Sequence, residues 1–158
     1  MNKEDEAIVE FCSALALVRE RFRAVHICLE QKPFLRQVTT TVSHARGNFN
    51  EALLRGRQRA GEQAAYGVEI SYSLDAELPE PIASDKYSLG ASIAIRSLGG
   101  RWLLQAEVGW SCKSCGWEEH QAFEREAATA REVVIALPGF CDEVLSCYKT
   151  FVDSHGAK

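Results

Sequence analysis

Apolar residues recur at alternating spacings of three and four from the start of the chain: Ile8, Phe11, Leu15, Val18, Phe22, Val25 and Leu29. That spacing gathers them on one stripe of a helix. Glu4, Asp5 and Glu6 fall in its first turn, where negative charge suits the helix dipole. Pro33 ends the run, because proline cannot continue a helix interior. Pro33 is also suited to open a second helix, since its missing N–H costs nothing at the first position. Leu35, Val38, Val42, Ala45, Phe49 and Ala52 again step by three and four, despite the poor helix formers Thr39, Thr40 and Thr41. The pattern predicts one long second helix, with a break at Gly47, ending near Gly61. Two such helices with a tight connection form an antiparallel hairpin.

After Gly67 the period becomes two. Val68, Ile70, Tyr72, Leu74, Ala76 and Leu78 alternate with Glu69, Ser71, Ser73, Asp75 and Glu77. This is a strand with one buried face and one wet, acidic face. Pro79-Glu80-Pro81 ends it. Tyr87, Leu89, Ala91, Ile93 and Ile95 mark a second strand, and Ser97-Leu98-Gly99-Gly100 a hairpin turn. Trp102, Leu104, Ala106, Val108 and Trp110 mark a third. A fourth runs from Trp117 to about Arg125, and its poor alternation places it at an edge. Helical spacing then returns at Val134, Leu137, Cys141, Val144, Tyr148 and Phe151, with Pro138-Gly139 dividing it into two short helices. The prediction is a single α+β domain over residues 1–158: an N-terminal helical hairpin, a four-stranded antiparallel meander, and C-terminal helices packed on the sheet.

Composition narrows the function classes. The chain of 158 residues is 46% apolar and 25% charged, ordinary for a globular protein. No run approaches the roughly 18 apolar residues of a membrane helix, and the acidic start is unlike a secretory signal. These features point to a cytoplasmic protein, and its six cysteines to free thiols or metal ligands. Cys12 and Cys28, beside apolar neighbours in the first helix, are expected in the core. The net charge of −4 hides an asymmetry. Residues 19–59 hold nine Lys/Arg against three Asp/Glu, and residues 60–158 hold eight against fifteen. That balance is unlike a nucleic-acid binder's. Arg55, Arg57 and Arg59 form a small basic cluster without the interleaved aromatics that single-strand binding uses.

Three sites carry candidate chemistry. Cys112-Lys113-Ser114-Cys115-Gly116 resembles half of a zinc-ribbon knuckle, making Cys112 and Cys115 candidate zinc ligands. Cys141 and Cys147, or His120, are the candidates to complete such a site. A redox role is disfavoured, because the pair falls between strands and not at a helix N-terminus. His120 lies two residues from Glu118, on the same strand face, an arrangement in which a carboxylate orients a general base. No zinc-protease, nucleophile-elbow or phosphate-loop motif is present. Trp102 and Trp110 alternate as core anchors, whereas Trp117 sits near a loop tip among acids, the composition of a binding hot spot.

The leading expectation is a protein-binding module. Its binding residues would be Glu69, Asp75, Glu77, Trp117, Glu118, Glu119 and Glu124, facing a basic partner whose association complementary charge would speed. The general layout is similar to that of small bacterial immunity proteins, which neutralise toxins by covering them; no residue motif carries that likeness. The partner would then be a basic toxin domain. The alternatives are a zinc-stabilised module built on Cys112 and Cys115, and an enzyme using the His120 region. The narrow helical stripes also suit a homodimer.

Overall fold

The computed structural model describes residues 3–45, 68–79, 85–98 and 101–156. Two long helices flank a five-stranded antiparallel meander. Helix α1 spans Lys3–Glu30 and helix α2 spans Ala130–Gly156. Between them run β1 (Gln37–Ala45), β2 (Val68–Glu77), β3 (Lys86–Leu98), β4 (Arg101–Cys112) and β5 (Gly116–Ala127), in spatial order β1-β2-β3-β4-β5. Each strand pairs with its neighbour in sequence. β1 and β5 form the edges.

The first helix follows its pattern. Phe11, Ala14, Val18, Phe22, Val25 and Leu29 are buried, with Ile8 and Leu15 packed against them. The chain tightens after Glu30, where the N–H groups of Gln31 and Lys32 donate to the carbonyls of Cys28 and Leu29, just before Pro33. Cys12 and Cys28 are exposed, contrary to the core expectation; they lie beside the stripe and not on it.

Where the second helix is expected to begin, residues 37–45 form β1, so among the described residues α1 is followed by a strand and not by the second arm of a helical hairpin, and the sheet has five strands rather than four. Leu35, Val38 and Val42 fit a helical step, but Val38, Thr40 and Val42 equally fit a strand face. Five consecutive β-branched residues, Val38 to Val42, decide the matter, because their stiff χ1 angles suit a pleated surface better than a helix. Phe49, Ala52, Gly47 and the Arg55–Arg57–Arg59 cluster lie outside the described residues.

The two short C-terminal helices are one continuous helix with Pro138 inside it. Proline there removes the hydrogen bond to the Val134 carbonyl, a cost of about 3 kcal/mol. Burial on both sides offsets it: Val133 and Leu137 precede the proline, and Phe140, Cys141 and Val144 follow it. The helix start is capped. The Thr129 hydroxyl accepts from the Glu132 N–H at 3.2 Å, and the Glu132 carboxylate accepts from the Ala128 N–H at 2.7 Å.

Both helices cover one face of the sheet. α1 lies over β1 and β2, and α2 over β3, β4 and β5. The core is the layer between: Ile70, Tyr72 and Leu74 of β2, Leu89, Ile93 and Ile95 of β3, and Trp102, Leu104 and Val108 of β4 meet the two helix stripes. Tyr148 of α2 is fully buried, and its hydroxyl donates to the Leu89 carbonyl at 2.8 Å. None of the described helices is long and apolar enough to cross a membrane.

Candidate functional site

Alternation along five paired strands leaves a second sheet face that no described helix covers. Its register is explicit. Ser43 pairs with Ser71, Ser71 with Ala94, Ala94 with Gln105, and Gln105 with Glu124, all directed away from the helices. The same parity places Glu69, Asp75 and Glu77 of β2, Arg96 of β3, Arg101 and Glu107 of β4, and Glu119, Glu124 and Glu126 of β5 on this face. Among the described strand residues it therefore carries seven carboxylates against two guanidiniums.

A shallow trough of about 570 Å³ occupies the middle of this face, lined by Glu69, Arg96, Gln105, Glu107, Glu119 and Glu124 among others. A polar chain crosses four strands along its floor. Arg96 Nε donates to the Glu69 carboxylate at 2.9 Å, and Arg96 Nη1 donates to Gln105 Oε1. Gln105 Nε2 in turn donates to the Glu124 carboxylate at 3.2 Å. Both cations on the face are thus held internally, since Arg101 Nη1 pairs with the Glu126 carboxylate at 3.7 Å.

Trp117 lies on the same face. The pairing shifts between Val108 and Gly109, so that His120 of β5 has no partner residue on β4. This bulge resets the alternation and explains the weak pattern of the strand. Glu119 and Trp117 fall on the open face, opposite Gly109 and Ser111, while Glu118 falls on the helix side opposite Trp110. The Trp117 indole then lies across two glycines: a Cβ on Gly109 would stand 2.9 Å from it, and one on Gly90 would stand 3.1 Å from it. Asp75 Oδ1 borders the same spot, 3.0 Å from that Gly90 position. Burial against this surface raises the Asp75 carboxyl above its ordinary range.

Six of the seven residues expected to bind a partner, namely Glu69, Asp75, Glu77, Trp117, Glu119 and Glu124, thus share one face, and Glu118 is the exception. Glu107 and Arg96 belong to it as well. Sequence reasoning passed over both, although each falls on the wet parity of its own strand.

Glu118 joins the cysteines instead. Its carboxylate and the thiols of Cys112 and Cys115 lie within 4.8 Å of one another. Cys112 is buried and the other two are exposed. Burial, with the neighbouring Cys115 thiol and the charges of Asp85 and Glu118, pushes the Cys112 thiol up to about 11. Cys141 is buried in the core, and the Cys147 thiol donates to Gln121 Oε1 at 3.3 Å; neither joins the cluster.

His120 packs on the helix side. Its ring stacks on Phe151, with centroids 4.5 Å apart, and among the described residues no carboxylate hydrogen-bonds to it. A second depression of about 470 Å³ lies between α1 and β1, where His26 bridges the Thr40 hydroxyl at 2.7 Å and the Glu30 carboxylate at 2.9 Å.

Compared with protein-family models, with curated proteins and with solved structures, the chain matches none.

Proposed function

We propose that this protein is a binding module whose open sheet face docks a basic protein surface. The reading extends to a neutralising role in the bacterial cytoplasm, that of an immunity protein covering a basic toxin domain. The observation that carries the docking reading is the convergence of Glu69, Asp75, Glu77, Trp117, Glu119 and Glu124 on one face without a described helix over it. Seven carboxylates against two guanidiniums favour a cationic partner and oppose both nucleic acid and a second copy of the same face. Trp117 supplies what charge alone does not: a flat apolar surface, 38% exposed, where a partner side chain is desolvated. A Lys or Arg of the partner placed there would meet the indole face and the Asp75 carboxylate together.

The experiment is a reducing pull-down from host lysate with mass spectrometry, run in parallel on the wild type and on two charge reversals. The expected result is a stoichiometric basic protein, released by salt, retained by Glu10→Lys on α1 and lost with Glu119→Lys/Glu124→Lys. A partner indifferent to the open-face reversal, or no partner at all, would sink the proposal.

A further inference from the structure

The turn between β4 and β5 carries chemistry that the open face does not use. Cys112 ends β4, Cys115 lies in the turn, and Glu118 is the third residue of β5. Three potential metal ligands, two thiols and a carboxylate from three separate backbone positions, converge within 4.8 Å. The turn that presents them is tied down. The Lys113 N–H donates to the Asp85 carbonyl at 3.1 Å, and the Ser114 N–H and hydroxyl both donate to the Asp85 carboxylate. Gly116, at φ 80°, takes the left-handed conformation that lets the chain reverse immediately after Cys115.

We propose that Cys112, Cys115 and Glu118 are three ligands of a zinc(II) site whose fourth position opens to solvent and holds water. Two thiols and a carboxylate meet there, with the Cys112 thiol directed at Glu118 Oε2 at 4.0 Å, and a divalent cation can take the place of the thiol protons between them. Paired thiolates select zinc over magnesium or calcium. Zinc with Zn–S near 2.3 Å and Zn–O near 2.1 Å holds its tetrahedral ligand atoms about 3.5–4 Å apart. The cluster must therefore contract by about an ångström, which exposed Cys115 and Glu118 can accomplish by side-chain rotation while buried Cys112 stays fixed. Binding displaces the two thiol protons into solvent, so affinity falls as pH falls. The site spans both strands of the hairpin and brackets Trp117 on the chain, with Cys115 before it and Glu118 after it, although on the other side of the sheet. It does not rest on the docking proposal.

The test uses the full chain, reduced with a phosphine, stripped with a chelator, and titrated with cobalt(II) and then zinc(II). Expected is one cobalt per chain, with a thiolate-to-cobalt charge-transfer band that zinc bleaches. Cys115→Ser, at an exposed position, abolishes the band. Glu118→Gln weakens binding by at least about tenfold, the scale on which even outer-shell changes act. Cys12→Ser/Cys28→Ser and the open-face variant Glu124→Lys both leave it unchanged, which separates this proposal from the docking one. Absence of the band, its survival in Cys115→Ser, or wild-type affinity in Glu118→Gln would overturn the assignment.

Discussion

The indole of Trp117 lies across Gly90, a residue two strands away, so closely that a Cβ there would stand 3.1 Å from the ring. The neighbouring glycine, Gly109, is under a different constraint: its Cβ would meet the Glu118 backbone carbonyl at 2.3 Å. Backbone at a bulge cannot give, whereas the Trp117 ring and the Asp75 carboxylate can rotate away. Gly109→Ala is therefore expected to destabilise by about 1–3 kcal/mol, and Gly90→Ala by under about 1 kcal/mol. Gly90→Ala should nevertheless weaken partner binding, by lifting the indole off the sheet. Urea midpoints for the two variants check the first half; equal losses would contradict the difference in contacts.

Asp75 costs the fold stability at neutral pH. Its carboxyl is raised by burial, so the folded state binds its proton more tightly than the unfolded chain does. The stabilisation belonging to the protonated form is present below the unfolded value near 4 and is lost as pH rises through the folded value. Asp75→Asn has the same shape and no charge. It should stabilise the protein at pH 7 by a few tenths to about 1 kcal/mol and remove that pH dependence. The same variant should weaken the basic partner's binding, because the anion beside Trp117 is gone. Denaturation curves at pH 4 and pH 7 test the stability claim, and a variant no more stable than the wild type at pH 7 would refute it.

The legible parts of the fold were those where one periodicity stood alone. The α1 stripe from Phe11 to Leu29 and the alternation from Ile70 to Ala76 each had a single reading, and both formed. Residues 35–45 satisfy two periods at once, and the β-branched run from Val38 to Val42 outweighs the helical step. Propensity is local and marks Pro138 as a break, whereas the burial that carries the helix across it is tertiary. A readable signal for the start of α2, Thr129 three residues before Glu132, was passed over. On the site, parity alone placed Glu69, Asp75 and Glu77 together. It failed for Glu118, because the bulge that turns Glu118 away from Glu119 and Trp117 depends on pairing with β4 and shows in β5 only as a weakened alternation, which does not say where the phase changes.

Alkaline pH should loosen the core through Cys141. This thiol is fully buried on α2, and burial pushes it up to about 12. In the unfolded chain it ionises near 9, so unfolding above that pH releases a proton. The contribution is complete below pH 9 and is lost as pH rises toward 12, at up to about 1.4 kcal/mol per pH unit. Tyr148, raised by burial as well, adds a loss of the same sign above about pH 10. Cys141→Ala should be less stable than the wild type at pH 7, through the cavity it leaves, yet show a shallower decline between pH 9 and pH 10. Parallel declines in that window would mean that the thiol does not set the slope.

Arg96 separates stability from recognition on the open face. Its guanidinium joins Glu69 to Gln105 and, through Gln105, to Glu124. The ion pair with Glu69 is about one-third exposed on either side, so its stabilisation is at most about 1 kcal/mol. Arg96→Gln keeps a hydrogen-bonding side chain in the trough but removes one of the two cations set against seven carboxylates. The folded state should lose under about 1 kcal/mol. A basic partner, by contrast, should associate faster with the variant than with the wild type, and the difference should shrink as salt screens the field. Stopped-flow association at low and high salt reads this directly. If Arg96→Gln instead slowed association, the guanidinium would be meeting an acidic partner, and the sign of charge assigned to the partner would have to be reversed.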